Sequence, residues 1–270
     1  MIRIMTFNIR NGTAADGENS WPHRKELVVD RIRAFDPDVL GLQECRDDFQ
    51  AAYLKAALGD YAFVGRPRGG DHPASLEMTA VFIRKSAFEV VERSHFWLSQ
   101  TPDVPGSMSW DSHFPRTVTW VKLEGRQPPH HRLALFNTHF DYNGEEVVTE
   151  SARLLRTRVE GLLGDMPVIL TGDFNAEKDT LAYRILTEGT AEGAKKLNDV
   201  YRQVHPERTG NEGTAHDFGT LVDQPAIDWI LISGHLQATW AEIDRYNAAG
   251  RYPSDHYPLA AVVELREARP

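Results

Sequence analysis

The chain has 270 residues, enough for one large domain or two small ones, and its 41% hydrophobic and 26% charged residues are ordinary globular values. A net charge of −9, with no Lys/Arg cluster along the chain, argues against a tight sequence-independent nucleic-acid binder, which needs a basic face. No apolar stretch approaches the ~20 residues of a membrane span, and the single cysteine, Cys45, excludes an internal disulfide and reads as a small core residue.

Met1-Ile2-Arg3-Ile4-Met5 opens an alternating strand that ends at Asn8. It lacks the basic and apolar regions of a secretory signal, which points to the cytoplasm. Residues 22–35 follow a helical pattern with Val28, Ile32 and Phe35 on one face, Pro22 being acceptable in a first turn. The buried-strand run Val39-Leu40-Gly41-Leu42 finishes at Gln43-Glu44. Residues 46–58 form a second helix candidate closed by Gly59. Strands are expected over 79–84, 117–123 and 132–137, the last running on into Thr138-His139-Phe140-Asp141. Residues 146–163 give the clearest helix, with Val148, Ala152, Leu155, Val159 and Leu162 at spacings of three or four and Gly164 as a cap. A strand over 167–170 finishes at Thr171-Gly172-Asp173-Phe174-Asn175. Another covers 227–232 with Asp228 near its start, and a last one over 259–265 follows Ser254-Asp255-His256. No linker or composition shift interrupts the chain, so residues 1–270 read as one domain.

Polar residues able to bind metal or phosphate thus recur at the ends of apolar strand runs, where a rigid sheet can gather distant side chains. Glu44, Asp173, Asp228 and Asp255 all lie there. A buried strand-edge carboxylate is costly unless paired or ligated. One such residue is ordinarily explained by a backbone or arginine hydrogen bond, but four, each beside another polar candidate, are not. Carboxylates and amide oxygens suit Mg²⁺, whereas the lack of thiolate ligands argues against structural zinc. Of 11 histidines, His139 and His256 stand out by context. Either could act as general acid or base or stabilise developing charge, given a partner to fix its tautomer. Asp228 is the candidate partner of His256, and Glu77 that of His139. Asn175, two residues after Asp173, shares its face if the segment is extended; a turn is the alternative.

Together these segments resemble the endonuclease/exonuclease/phosphatase superfamily. The matching pieces are Thr6-Phe7-Asn8-Ile9-Arg10, Leu42-Gln43-Glu44, Asn137-Thr138-His139, Gly172-Asp173-Phe174-Asn175, Ile227-Asp228-Trp229-Ile230 and Ser254-Asp255-His256, in family order. The resemblance implies an α/β (α+β) fold, a four-layer sandwich of two packed mixed β-sheets flanked by helices. It implies that Glu44 ligates Mg²⁺ with Asn8 and Asp255 close by, Mn²⁺ being able to substitute. It further implies that Asp173 and Asn175 orient the attacking water and that Asp228 holds His256 on the scissile phosphate. Glu77 and His139 look like the second carboxylate–histidine pair of the deoxyribonuclease I branch, and Arg116 looks like its phosphate-contacting arginine. Asp16-Gly17-Glu18-Asn19-Ser20-Trp21, Phe96-Trp97-Leu98-Ser99, Ser109-Trp110-Asp111 and Gly250-Arg251-Tyr252-Pro253-Ser254 look like a bacterial group near the deadenylase and nocturnin branch.

The expected activity is divalent-metal-dependent hydrolysis of a phosphodiester or phosphomonoester by in-line attack of water. The acidic charge favours a small-molecule or nucleotide substrate over DNA or RNA, with no membrane partner and a monomeric state. Two alternatives are a nuclease and a non-catalytic binding module on the same fold. Aromatic residues between Phe96 and Trp120 (Trp97, Trp110, Phe114), with His216 and Phe218 in a later loop, either stack on a substrate ring or pack their own loops.

Overall fold

The computed structural model describes residues 1–70, 74–162, 166–207 and 210–266. In chain order the elements are β1 (Ile2–Asn8), α1 (Trp21–Phe35), β2 (Val39–Gln43), β3 (Cys45–Arg46), α2 (Phe49–Ala57), β4 (Tyr61–Val64), β5 (Glu77–Met78), β6 (Val81–Arg84), β7 (Phe88–Trp97), β8 (Thr117–Gly125) and β9 (Arg132–His139). Then follow α3 (Glu145–Glu160), β10 (Val168–Asp173), α4 (Leu181–Glu188), β11 (Leu197–Asp199), α5 (Val200–Val204), β12 (Asp228–Ser233), β13 (Leu236–Ile243) and β14 (Leu259–Leu265). The helix expected over 46–58 starts late. Cys45–Arg46 pairs with Glu77–Met78 instead, and Asp48 caps α2 by accepting from the Gln50 amide. Leu163 and Gly164, expected at the end of the third helix, lie outside the described residues.

Two six-stranded sheets form, in the orders β13-β14-β1-β2-β6-β4 and β11-β12-β10-β9-β8-β7. Both are mixed, because β1 runs parallel to β2 and β9 parallel to β10 while their other pairings are antiparallel. Ile4, Val39 and Val81 of the first sheet pack against Val121, Leu135, Ile169 and Ile230 of the second. On the outer faces, Val28, Ile32 and Leu54 of α1 and α2 cover Met5, Leu40 and Phe82, and Leu155, Val159 and Leu186 of α3 and α4 cover Phe136, Leu170 and Leu231. The result is the helix–sheet–sheet–helix stack expected above, with each fully buried aliphatic side chain contributing about 1.5–3 kcal/mol.

The apolar interlayer changes character toward one end. There Gln43 Nε2 donates to Asn137 Oδ1 at 2.7 Å, and Asn137 Nδ2 donates across to the carbonyls of Leu42 and Ala80 at 2.9 and 3.0 Å. The approach is close enough that a Cβ on Gly41 would sit 2.5 Å from Asn137 Oδ1 and collide with the Thr171 hydroxyl. Glycine is required here for proximity between sheets. Immediately beyond this polar seam, the chain leaves both sheets and the candidate residues emerge.

Candidate active site

Strand register assembles the site. Parallel pairing of β9 with β10 sets His139 opposite Asp173, and antiparallel pairing of β10 with β12 sets Asp173 opposite Asp228. From the first sheet, Asn8 ends β1 and Glu44 follows β2, with φ 61. Asp255 and His256 precede β14, where Ser254 Oγ donates to the Asn8 carbonyl at 2.7 Å and so ties the two segments together. Such left-handed backbone at a non-glycine residue is strained and persists only where surroundings enforce it.

His256 Nδ1 lies 2.8 Å from Asp228 Oδ2, and its Nε2 is 3.8 Å from Asp173 Oδ2. His139 Nε2 approaches the same Asp173 oxygen at 3.5 Å. Asn8 Nδ2 spans Glu44 Oε1 and Asp173 Oδ2, at 3.0 Å from each. Burial, reinforced by Asp228, pushes the Asp173 carboxyl up to about 7. Burial pulls the two histidines down alike, but Asp228 overrides it at His256, which is held well above its ordinary value. At His139 the charges of Arg116 and Arg68 add to burial and hold it well below. Two histidines flanking one carboxylate are therefore driven to opposite protonation states.

Two of the expected arrangements need correction. Glu77 is not the partner of His139: its Oε2 pairs with Arg68 Nη1 at 3.0 Å and its Oε1 accepts from Asn11, while His139 turns to Asp173. Glu77 and His139 line the same cavity, but the Glu77 carboxylate is taken by Arg68. Asn175 does not share a face with Asp173 by extension. The chain turns there with φ 46, its N–H donates to Asp173 Oδ1 at 3.0 Å and its Nδ2 donates to the Phe140 carbonyl at 2.9 Å. Asn8, expected close to the ion on Glu44, lies beside that carboxylate and directs its amide nitrogen to it, while Oδ1 accepts from the Arg10 N–H at 3.0 Å.

Two donor groupings could receive a cation. Asp173, Asp228 and His256 bring one ligand atom each within 4.8 Å of one another, but His256 Nδ1 is already committed to Asp228. The other lies around Glu44, Glu77 and Asp255 on the wall of the same cavity. Burial and then repulsion from Glu44 raise Asp255; burial and Glu44 likewise raise Glu77 against the pull of Arg68. Glu77 and Asp255 are each paired with an arginine, Arg68 at 3.0 Å and Arg10 at 3.3 Å, while Glu44 adds a third carboxylate; oxygen donors of this kind are what a hard dication takes, so the chemistry of this second grouping fits Mg²⁺ or Mn²⁺. Cys45 is buried in the core with its thiol pushed up by that burial, away from this chemistry.

Glu44, Glu77, His139, Asp173, Asn175, Asp255 and His256 line a cavity of about 450 Å³ that also takes in Arg10, Asn11, Arg68, Phe114, Arg116 and Tyr142. Arg116 is buried and fixed to Asp141 at 3.1 Å, under the rings of Phe114 and Tyr142. Arg68, Asn11 and Tyr142 escape the sequence reading because each is one polar residue in a loop with no strand end to mark it. Tyr142 is 56% exposed at the rim and forms an aromatic cluster with His113 and Phe114. The other aromatics of the long segment pack instead: Phe96 and Trp97 are buried, and Trp110 and Trp120 lie against the core under α3. His216 stacks on Tyr257, with ring centroids 3.7 Å apart.

A catalytic-type cluster at the convergent ends of two packed mixed sheets defines the class. The Endonuclease/Exonuclease/phosphatase family model matches residues 5–256, and the chain belongs to that family. An endonuclease/exonuclease/phosphatase from Bacteroides vulgatus superposes with a TM-score of 0.87 at 32% identity, covering 98% of this chain and 99% of its own. A mannosyl-6-phosphatase from Bacteroides thetaiotaomicron VPI-5482 is similar at 29% identity and a TM-score of 0.85, covering 98% of this chain and all of its own. Rat nocturnin is 23% identical over 95% of this chain, which spans 63% of that protein.

Proposed function

We propose that this protein is a Mg²⁺- or Mn²⁺-dependent phosphoesterase that hydrolyses a small phosphate ester, with the ion held by Glu44 and Asp255. The observation that carries this reading is Asp173, raised to about 7 and flanked by His139 and the Asp228-supported His256, in one cavity with Glu44. An ion bound there supplies Lewis-acid charge to phosphoryl and leaving oxygens. Asp173 accepts the proton of the attacking water, a task matched to a group titrating near neutrality. Asn8 holds Asp173 and Glu44 in fixed relation. His256, kept cationic by Asp228, donates to a phosphoryl oxygen, while neutral His139 and Arg116 add donors around the same charge. Asn175, by turning the chain, fixes Asp173 through its N–H, and Glu77 orients Arg68 at the cavity wall.

A cavity of about 450 Å³, rimmed by Tyr142, suits a small ester; our reading is of a single-domain monomer acting in the cytoplasm on soluble substrates. The similarity to the B. thetaiotaomicron mannosyl-6-phosphatase favours a sugar phosphate. The second reading, a nuclease, draws on curated relatives named as 3′-5′-exoribonuclease subunits. A phosphoester panel separates the two. It contains hexose phosphates, mononucleotides, cyclic phosphates, bis-aryl phosphodiesters, oligo(A) and plasmid DNA, each with Mg²⁺, Mn²⁺ or chelator. Chelator-sensitive turnover of the small esters alone supports the first reading, and preferential cleavage of oligo(A) or DNA supports the second. No turnover of any ester refutes both.

A further inference from the structure

We propose that Arg24 and Gln50 form a buried frame that presets Glu44 and Asp255 for a divalent cation, both acting as positioning residues. The functional part of this inference rests on the ion site proposed above. Arg24 lies in the first turns of α1 and is buried. Its guanidinium donates to four main-chain carbonyls from three stretches of chain: Nε to Asn19 at 2.9 Å, Nη1 to Ile9 at 2.6 Å and to Pro253 at 3.1 Å, and Nη2 to Arg10 at 3.0 Å. Gln50, in α2 and fully buried, completes the frame. Its Nε2 donates to the same Arg10 carbonyl at 2.9 Å, and its Oε1 accepts from the N–H groups of Gly12 at 3.1 Å and Arg46 at 3.2 Å.

Of the four stretches so fastened, all but Asn19 belong to segments that carry the ion-side residues. Residues 9–12 follow Asn8 and present the Asn11 N–H to Glu44 Oε2 at 2.7 Å; residues 44–46 contain Glu44; Pro253 leads into Asp255. Two of these segments hold non-glycine residues in left-handed backbone, Arg10 with φ 55 and Glu44 with φ 61. Conformations of that kind need fixed neighbours, and the frame's hydrogen bonds meet the main chain within two residues of each. The buried guanidinium finds its counter-charge at longer range in Asp255, Asp16 and Glu44, so frame and carboxylates are also coupled through charge.

Arg24→Lys keeps the charge but removes the planar fork that reaches four carbonyls. Gln50→Leu preserves approximate volume and removes three hydrogen bonds. Arg156→Lys is the control: Arg156 is an equally buried arginine that ties α3 to the Leu186 and Lys195 carbonyls, away from the cavity. Mg²⁺ and Mn²⁺ titrations by calorimetry on folded protein should show Kd raised about tenfold or more in Arg24→Lys and in Gln50→Leu. The double variant should show less than the product of the two effects, since both act on the Arg10 carbonyl. In ion-free protein, the Asn11 and Gly12 amides should exchange with solvent about tenfold faster in either variant, while β10 amides keep their wild-type rates. Arg156→Lys should leave both readouts within about twofold. Frame variants with wild-type affinity, or a control that weakens binding equally, overturn the proposal. Absence of divalent-ion binding by the wild type would refute the ion site and with it the frame's function. The exchange rates still judge the frame itself, which unchanged rates overturn.

Discussion

Asp228→Asn is the most searching perturbation of the site, because it removes one charge and keeps the shape. Asp228 and His256 are both buried, and Asp228 Oδ2 lies 2.8 Å from His256 Nδ1. At an effective dielectric near 20, two unit charges at that separation attract by roughly 6 kcal/mol, which is a ceiling. A hydrogen bond to a charged group is worth about 1.5–3 kcal/mol net. The variant should therefore lose roughly 10- to 100-fold in kcat, with a smaller effect on KM. Two titrations should move together. His256 should fall from well above its ordinary value because its counter-charge is gone, and Asp173 should fall from about 7 because the lost repulsion from Asp228 outweighs the lost attraction of cationic His256. Histidine-labelled NMR titration of ion-free protein measures the first, and the acid limb of the kcat profile reports the second. An unchanged His256 titration, or an acid limb displaced upward, would refute the reasoning.

Glu44→Gln should abolish stabilisation by millimolar Mg²⁺ in thermal unfolding while leaving the ion-free Tm near wild type; retained stabilisation would move the ion away from Glu44. Arg116→Met tests a pH-dependent stability term. Burial raises Asp141, but the charge and hydrogen bond of Arg116 outweigh it and hold the carboxyl below its ordinary value. The pair's contribution is thus fully present above the ordinary carboxylate range and is lost as pH falls through the depressed value. Urea unfolding should show a deficit for the variant of about 3–5 kcal/mol near neutrality that shrinks on acidification, and a pH-independent deficit would contradict this assignment. Gly41→Ala should cost about 1–3 kcal/mol, read as a lowered Tm, since its Cβ would meet Asn137 and Thr171 across the sheets. Tyr142→Ala should raise KM for esters with ring-bearing leaving groups and spare acyclic ones; equal effects on both would exclude the rim as a leaving-group wall.

Much of the fold is written in short-range pattern. The alternation up to Asn8, the apolar run before Glu44 and the 3.6-residue period of α3 each mark an element, and the strand ends at Glu44, His139, Asp173 and Asp255 deliver their polar residues to one cavity, with Asn8 and Asp228 hydrogen-bonded to its lining. What escapes is set by partners distant in sequence. The 46–58 pattern reads as one helix because nothing local reveals that Cys45–Arg46 pairs with Glu77–Met78. Asp173 and Asn175 look coplanar until the turn at Asn175 is formed by its own N–H bond to Asp173. Glu77 is matched to His139 by analogy, whereas the fold pairs it with Arg68. The edge strands β7, β11 and β13 lack the continuous apolar runs of the central strands β2, β10 and β12, and β7 has an exposed middle. Arg24 and Gln50 are invisible because a polar residue on a helix ordinarily faces solvent, and only the assembled layers show these two turned inward.

The central claim is that Glu44 and His256 act on one phosphoester in one cavity. The most direct test is phosphate or alcohol release from the best panel substrate, under saturating Mg²⁺, by wild type, Glu44→Ala and His256→Ala. Loss of one preorganised donor or charge is worth about 2.7–4 kcal/mol of barrier, so each variant should fall by roughly a hundredfold or more. Activity within about tenfold of wild type in both variants would contradict the site.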